Sequence, residues 1–134
     1  MDQGQAWHYS LNKTMKTGEY EYELLYNANA YFDLKEKWGD DIISLFFSGT
    51  KQGFEALCDA LSTMAAQNEL TRRMEGFEKR KIPSKAYFML TLKPTEIGRH
   101  LEAAADAIMR GMAQETEEEE VDTGLLELQK KTVE

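Results

Sequence analysis

Apolar and polar residues first alternate with a period of two. Trp7, Tyr9 and Leu11 fall on one side of the chain. After a break at Lys16-Thr17-Gly18, Tyr20, Tyr22 and Leu24 fall on one face of EYEYELLY. This alternation around a glycine-containing turn predicts a β-hairpin. Two strands are marginal alone in water, so the hairpin must pack on helices or pair elsewhere.

From Asn27 the period lengthens. Tyr31, Leu34 and Trp38 follow at i, i+3 and i+7, with Asn27 as N-cap and Gly39 as a left-handed stop. Asp40 or Asp41 starts a short second helix with Ile42, Ile43, Phe46 and Phe47 on its apolar face, ended by Ser48-Gly49. Thr50 caps a longer helix carrying Phe54, Leu57, Leu61, Met64 and Ala65, with an end or break at Gln67-Asn68. Leu70, Met74 and Phe77 continue a weaker stripe until Pro83. The run AYFMLTL reads either as a short helix after Ser84 or as a buried extended piece. The extended reading is favoured toward its end, because Pro94 biases Lys93 away from helix. Pro94 suits the first turn of a final helix with Ile97, Leu101, Ala105, Ile108 and Met112 on one face. The expected core is Tyr31, Leu34, Trp38, Ile43, Phe47, Phe54, Leu57, Leu61, Ile97, Leu101 and Ile108.

The pattern changes after Met112. Residues 115–122 hold six acids, and such a block is normally solvated and disordered. Residues 113–134 carry −6 of the chain's net −8, so the body is near neutral. The fold class is therefore α+β: a mainly helical domain over residues 1–113 with an N-terminal β-hairpin, and a flexible acidic tail over 114–134. A body this long can bury a core without disulfides, and Cys58, the single cysteine, reads as a small buried apolar residue. No run reaches the roughly 18 apolar residues of a spanning helix, and MDQGQAWHYSLN lacks the regions of a secretory signal. A reducing cytoplasm is the expected location.

Little in the sequence reads as chemistry. His8 and His100 have no second ligand at metal spacing; Glu96, one turn from His100, suggests a surface pair. The serines lack a nucleophile-elbow context, and no phosphate loop follows Gly49 or Gly53. No enzyme, cofactor or metal is expected. Residues 72–85 carry +4, a docking surface for an acidic partner or for the tail, or a solvated helix face. A near-neutral body with no aromatics interleaved among the bases argues against nucleic acid. The methionines fill core or line an adaptable groove. The candidate partner-binding residues are Arg72, Arg73, Arg80, Lys81, Met64 and Met74.

The order of elements, a hairpin leading into YELLYNANAYFDLKEKWGDDIISLF, then FEALCDALSTMAAQ, then LKPTEIGRHLEAAADAIMRGM, resembles the tail assembly chaperones of long-tailed bacteriophages and prophages. The resemblance rests on Asn27, Leu34, Glu36, Gly39, Pro94, Glu96 and Ile97 and covers about residues 16–113. It implies a non-enzymatic role in virion morphogenesis: binding the tape measure protein and keeping it soluble during tail tube assembly, in the host cytoplasm and not in the mature virion. Further partners it implies are the major tail tube protein and a second copy; no nucleic acid and no membrane is expected. It also implies a longer frameshifted product, with which Lys130-Lys131 is compatible. The alternative from another class is a small regulatory or DNA-mimic protein acting through its acidic tail.

Overall fold

The computed structural model of the chain describes the backbone of residues 14–133 and the side chains as far as Ala113. Strands β1 (Met15–Thr17) and β2 (Tyr20–Tyr22) pair antiparallel, with Met15 opposite Tyr22 and Thr17 opposite Tyr20. Gly18 opens the two-residue turn at φ +61°, a conformation that costs glycine little. The Trp7, Tyr9 and Leu11 half of the expected hairpin lies outside the described residues; the strand preceding the turn is Met15–Thr17.

Five helices follow. Helix α1 (Ala28–Trp38) begins at Asn27, whose side-chain oxygen accepts from the Ala30 amide, and stops at Gly39 with φ +87° and ψ −171°. That backbone is accessible essentially only to glycine, beyond the left-handed helical region expected there. Helix α2 (Ile42–Phe46) is capped by Asp41, and α3 (Lys51–Met74) by Thr50. Helix α3 runs unbroken through Gln67-Asn68, because both side chains find partners off its axis: Gln67 accepts from Asn27 and Asn68 donates to Glu23. Gly76, at φ +92°, turns the chain away after Met74. Helix α4 (Lys85–Thr91) is the short helix after Ser84, not an extended piece; the chain becomes extended at Leu92. Helix α5 runs from Pro94 to Val133, so its backbone continues through the acidic segment.

Helix α3 is the centre of the packing. Leu57, Cys58, Ala60, Leu61 and Met64 are buried along it, against Leu34 of α1, Phe46 of α2, Phe88 of α4 and Ala104 and Ile108 of α5. The small residues Ala104, Ala105 and Ala107 let α5 approach closely. Tyr22 and Leu24 complete the core from β2 and the segment after it. Two expected core members lie at the surface: Tyr31 is 37% exposed and Phe47 62%. In α2 the inward positions are Ile42 and Phe46, one residue earlier than the spacing suggests, because a helix of five residues points only one narrow face inward. Trp38, Ile43, Phe54, Ile97 and Leu101 are partly buried around the core.

Residues 17–26 act as a ruler along both long helices. On α3, Glu23 meets Asn68, and the Leu25 amide donates to the Met64 carbonyl at 3.1 Å. On α5, Thr17 meets His100, and Tyr26 presses on Gly111. The two helices are therefore antiparallel. The C-terminal end of α3 lies at the hairpin turn, and α5 leaves the body at the other end.

Candidate partner-binding surface

At the end of α3, a single carboxylate gathers three arginines. Glu69 Oε1 accepts from Arg72 Nη1 at 2.8 Å and lies 3.5 Å from Arg80 Nε. Its Oε2 accepts from Arg73 Nε at 3.0 Å and from the Arg80 backbone N–H at 2.6 Å. Arg72 and Arg73 also donate to the carbonyls of Glu78 and Arg80. The loop over residues 75–84 is thereby stapled to the helix. Burial pushes the Glu69 carboxyl up, but the Arg80 amide and the Arg73 and Arg72 guanidiniums outweigh it, and its pKa is held down at about 2.

This staple changes the meaning of the basic segment. Arg72, Arg73 and Arg80 are structural cations as much as surface ones. Arg72 also lies over the Phe77 ring, 5.4 Å from its centroid. Lys81 and its neighbour Lys79 remain exposed, and among the described residues neither side chain forms a hydrogen bond or ion pair. The two candidate methionines part company: Met64 is wholly buried in the core, and Met74 is 89% exposed. Leu70 and Phe77, also exposed, lie four residues before and three after Met74 in the chain.

A second apolar surface lies at the other end of the body, where α5 crosses the start of α1. A groove of about 410 Å³ is lined by Tyr26, Asn27, Ala28, Tyr31, Gly111 and Met112, none of them charged. The Tyr26 and Tyr31 rings meet edge to face at 6.3 Å, and Tyr31 meets the exposed Phe32 at 4.9 Å. Gly111 makes this approach possible, because a Cβ there would overlap the Tyr26 carbonyl. Neither Tyr26 nor Gly111 stood out in the sequence as part of a surface.

His100 is buried and does not form the expected surface pair. Its Nδ1 is 2.9 Å from the carbonyl oxygen of Glu96, not the carboxylate, so Nδ1 must carry the proton and donate. Nε2 lies 3.4 Å from Thr17 Oγ1, which in turn lies 2.9 Å from the Tyr22 hydroxyl. Burial raises the Tyr22 phenol above its ordinary value, partly offset by Thr17 and Arg99. The network ties the hairpin to α5 and is a packing device. Asp59, also buried, accepts from the Trp38 indole N–H at 2.8 Å and pairs with Lys37 at 3.5 Å. Among the described residues no group of three His, Cys, Asp or Glu side chains is placed to hold a metal, and no helix is long and apolar enough to cross a membrane. Comparisons with protein-family models, curated proteins and solved structures return no match.

Proposed function

We propose that this chain is a non-enzymatic tail assembly chaperone of a long-tailed bacteriophage or prophage. It binds the tape measure protein in the host cytoplasm, keeps it soluble while the tail tube forms, and does not enter the virion. The observation supporting this reading is the uncharged groove of Tyr26, Tyr31 and Met112, continued by exposed Phe32. A groove with aromatic walls and a repacking methionine suits the apolar face of a client helix. Such a client aggregates when its apolar stripe meets water, and covering that stripe suppresses aggregation.

Co-expression tests the proposal. The cognate tape measure protein should stay soluble with this chain and precipitate without it. Binding should survive ~0.5 M salt, where exposed ion pairs are screened, and show a negative heat-capacity change. Tyr31→Glu with Met112→Asp should abolish protection while the fold is retained, since both side chains are exposed. Equal solubility with and without the chain overturns the proposal. Binding lost on deleting residues 114–134 points instead to a regulator acting through its acidic segment.

A further inference from the structure

A groove of about 640 Å³ runs between the hairpin and α5, apart from the one at Tyr26. Its hairpin wall is Thr14 with Met15 and Lys16 of β1, three consecutive residues. Successive strand side chains point to opposite faces, so a groove bordered by three in a row follows the edge of the strand. Among the described residues β1 pairs with β2 alone, so this is the edge turned away from β2. Such an edge presents backbone N–H and C=O groups without strand partners. On the opposite wall Arg99, Ala103 and Asp106 follow at i, i+4 and i+7, one face of α5. Leu24, 5% exposed, and Met15, packed on the core, give the groove an apolar floor.

We propose that residues 7–11 of the same chain occupy this groove, with Trp7, Tyr9 and Leu11 turned inward onto Met15, Leu24 and Ala103. The partner of β2 is Met15–Thr17, so the apolar side of the alternating segment before it needs a cover other than β2. The segment joins the described chain at Thr14, which is itself part of the groove wall. Residues 7–13 span about 23 Å when extended. The α5 wall from Arg99 to Arg110 is roughly 16 Å long, so the segment is long enough to line it. A tether this short holds the segment at high local concentration beside its site. Charge also fits. Residues 3–12 contain no Asp, Glu, Lys or Arg, so they meet no like charge in a groove that mixes Arg99 with Glu102 and Asp106. The indole N–H and phenol O–H can donate to those carboxylates, and a guanidinium can stack on either ring. An extended backbone can also satisfy the outer edge of β1. This inference does not depend on the chaperone reading.

Nuclear Overhauser effects in the unaltered full chain test it. Contacts are expected from the Trp7 and Tyr9 ring protons to the methyl groups of Met15, Leu24 and Ala103. In a mixture of isotope-labelled and unlabelled protein, those contacts should be absent from a spectrum filtered for signals between molecules. Ala103→Glu places a charged side chain in the groove and should remove the Trp7 contacts. The Tyr22–Phe88 ring contacts, deep in the core, should persist in that variant and show that it is folded. Trp7→Ser, Tyr9→Ser and Leu11→Ser combined should lower the melting temperature by about 3 °C or more. A Trp7 ring without contacts to the groove methyls overturns the proposal, as does an unchanged melting temperature in the triple variant. Contacts found only between molecules also overturn it, because the groove would then hold the segment of another copy.

Discussion

The Glu69 carboxylate accepts from the backbone N–H of Arg80, eleven positions further along the chain, at 2.6 Å, closing the loop over residues 75–84 onto the last turns of α3. A backbone donor holds the loop whatever its side chains do, and the flanking guanidiniums of Arg72 and Arg73 make the buried charge tolerable. Glu69→Gln keeps the shape and removes the charge, leaving three arginines without their counter-ion. The expected loss is ~2–4 kcal/mol, read from the urea midpoint, with faster proteolysis in residues 75–84. An unchanged midpoint and cleavage pattern would show that the staple contributes nothing.

The same group sets an acid limit. The folded Glu69 pKa lies at about 2, below its ordinary 4.5. Between those values the unfolded chain binds more protons than the folded one, so stability rises with pH. The Glu69 contribution is complete above about pH 4.5 and lost as pH falls toward 2. Thermal melts between pH 6 and pH 2.5 should show a drop that Glu69→Gln largely removes.

Core and surface apolar residues should separate cleanly. Leu61 is fully buried at the centre of α3, so Leu61→Ala should cost ~2–5 kcal/mol. Phe47→Ala should stay within about 0.5 kcal/mol, because its ring already faces water. Equal effects at the two sites would contradict the packing.

Two glycines of α5 should respond in opposite directions. A Cβ at Gly98 meets nothing, so Gly98→Ala should gain up to ~1 kcal/mol from helix propensity. A Cβ at Gly111 overlaps the Tyr26 carbonyl, so Gly111→Ala should cost ~1–3 kcal/mol despite the same propensity gain. Melting temperatures of the two variants decide it.

Cys58 should be inert in the native protein. Burial, slightly eased by Lys85, pushes its thiol up to about 12, so almost no thiolate exists at pH 8. Iodoacetamide should label it only after denaturation; rapid native labelling would show that the α3 core opens.

Much of the local structure was legible in the chain. Asn27, Asp41, Thr50 and Ser84 act as caps because a short side-chain oxygen one residue ahead of a helix can satisfy an orphan amide within that turn. Gly39 ends α1 for an equally local reason. The candidate surface was less legible. Arg72, Arg73, Arg80 and Lys81 were visible as a charge run, but not the buried carboxylate that claims three of them. Glu69 reads in sequence as one more acid on an amphipathic helix, since its burial depends on a loop eleven residues away. Met64 and Met74 look alike in the pattern, although one is core and the other surface.

By itself, then, the sequence determined the glycine turn of the hairpin, most helix caps and stops, the central helix and the two-part distribution of charge. These depend on interactions within a few residues, or on counting. Only the tertiary structure decided that His100 is buried under the hairpin, that Gly111 is a contact point for Tyr26, and that the positive and negative segments lie at opposite ends. Each of these depends on which distant segments meet. That is set by the joint packing of α3, α5 and residues 17–26, which no local pattern encodes.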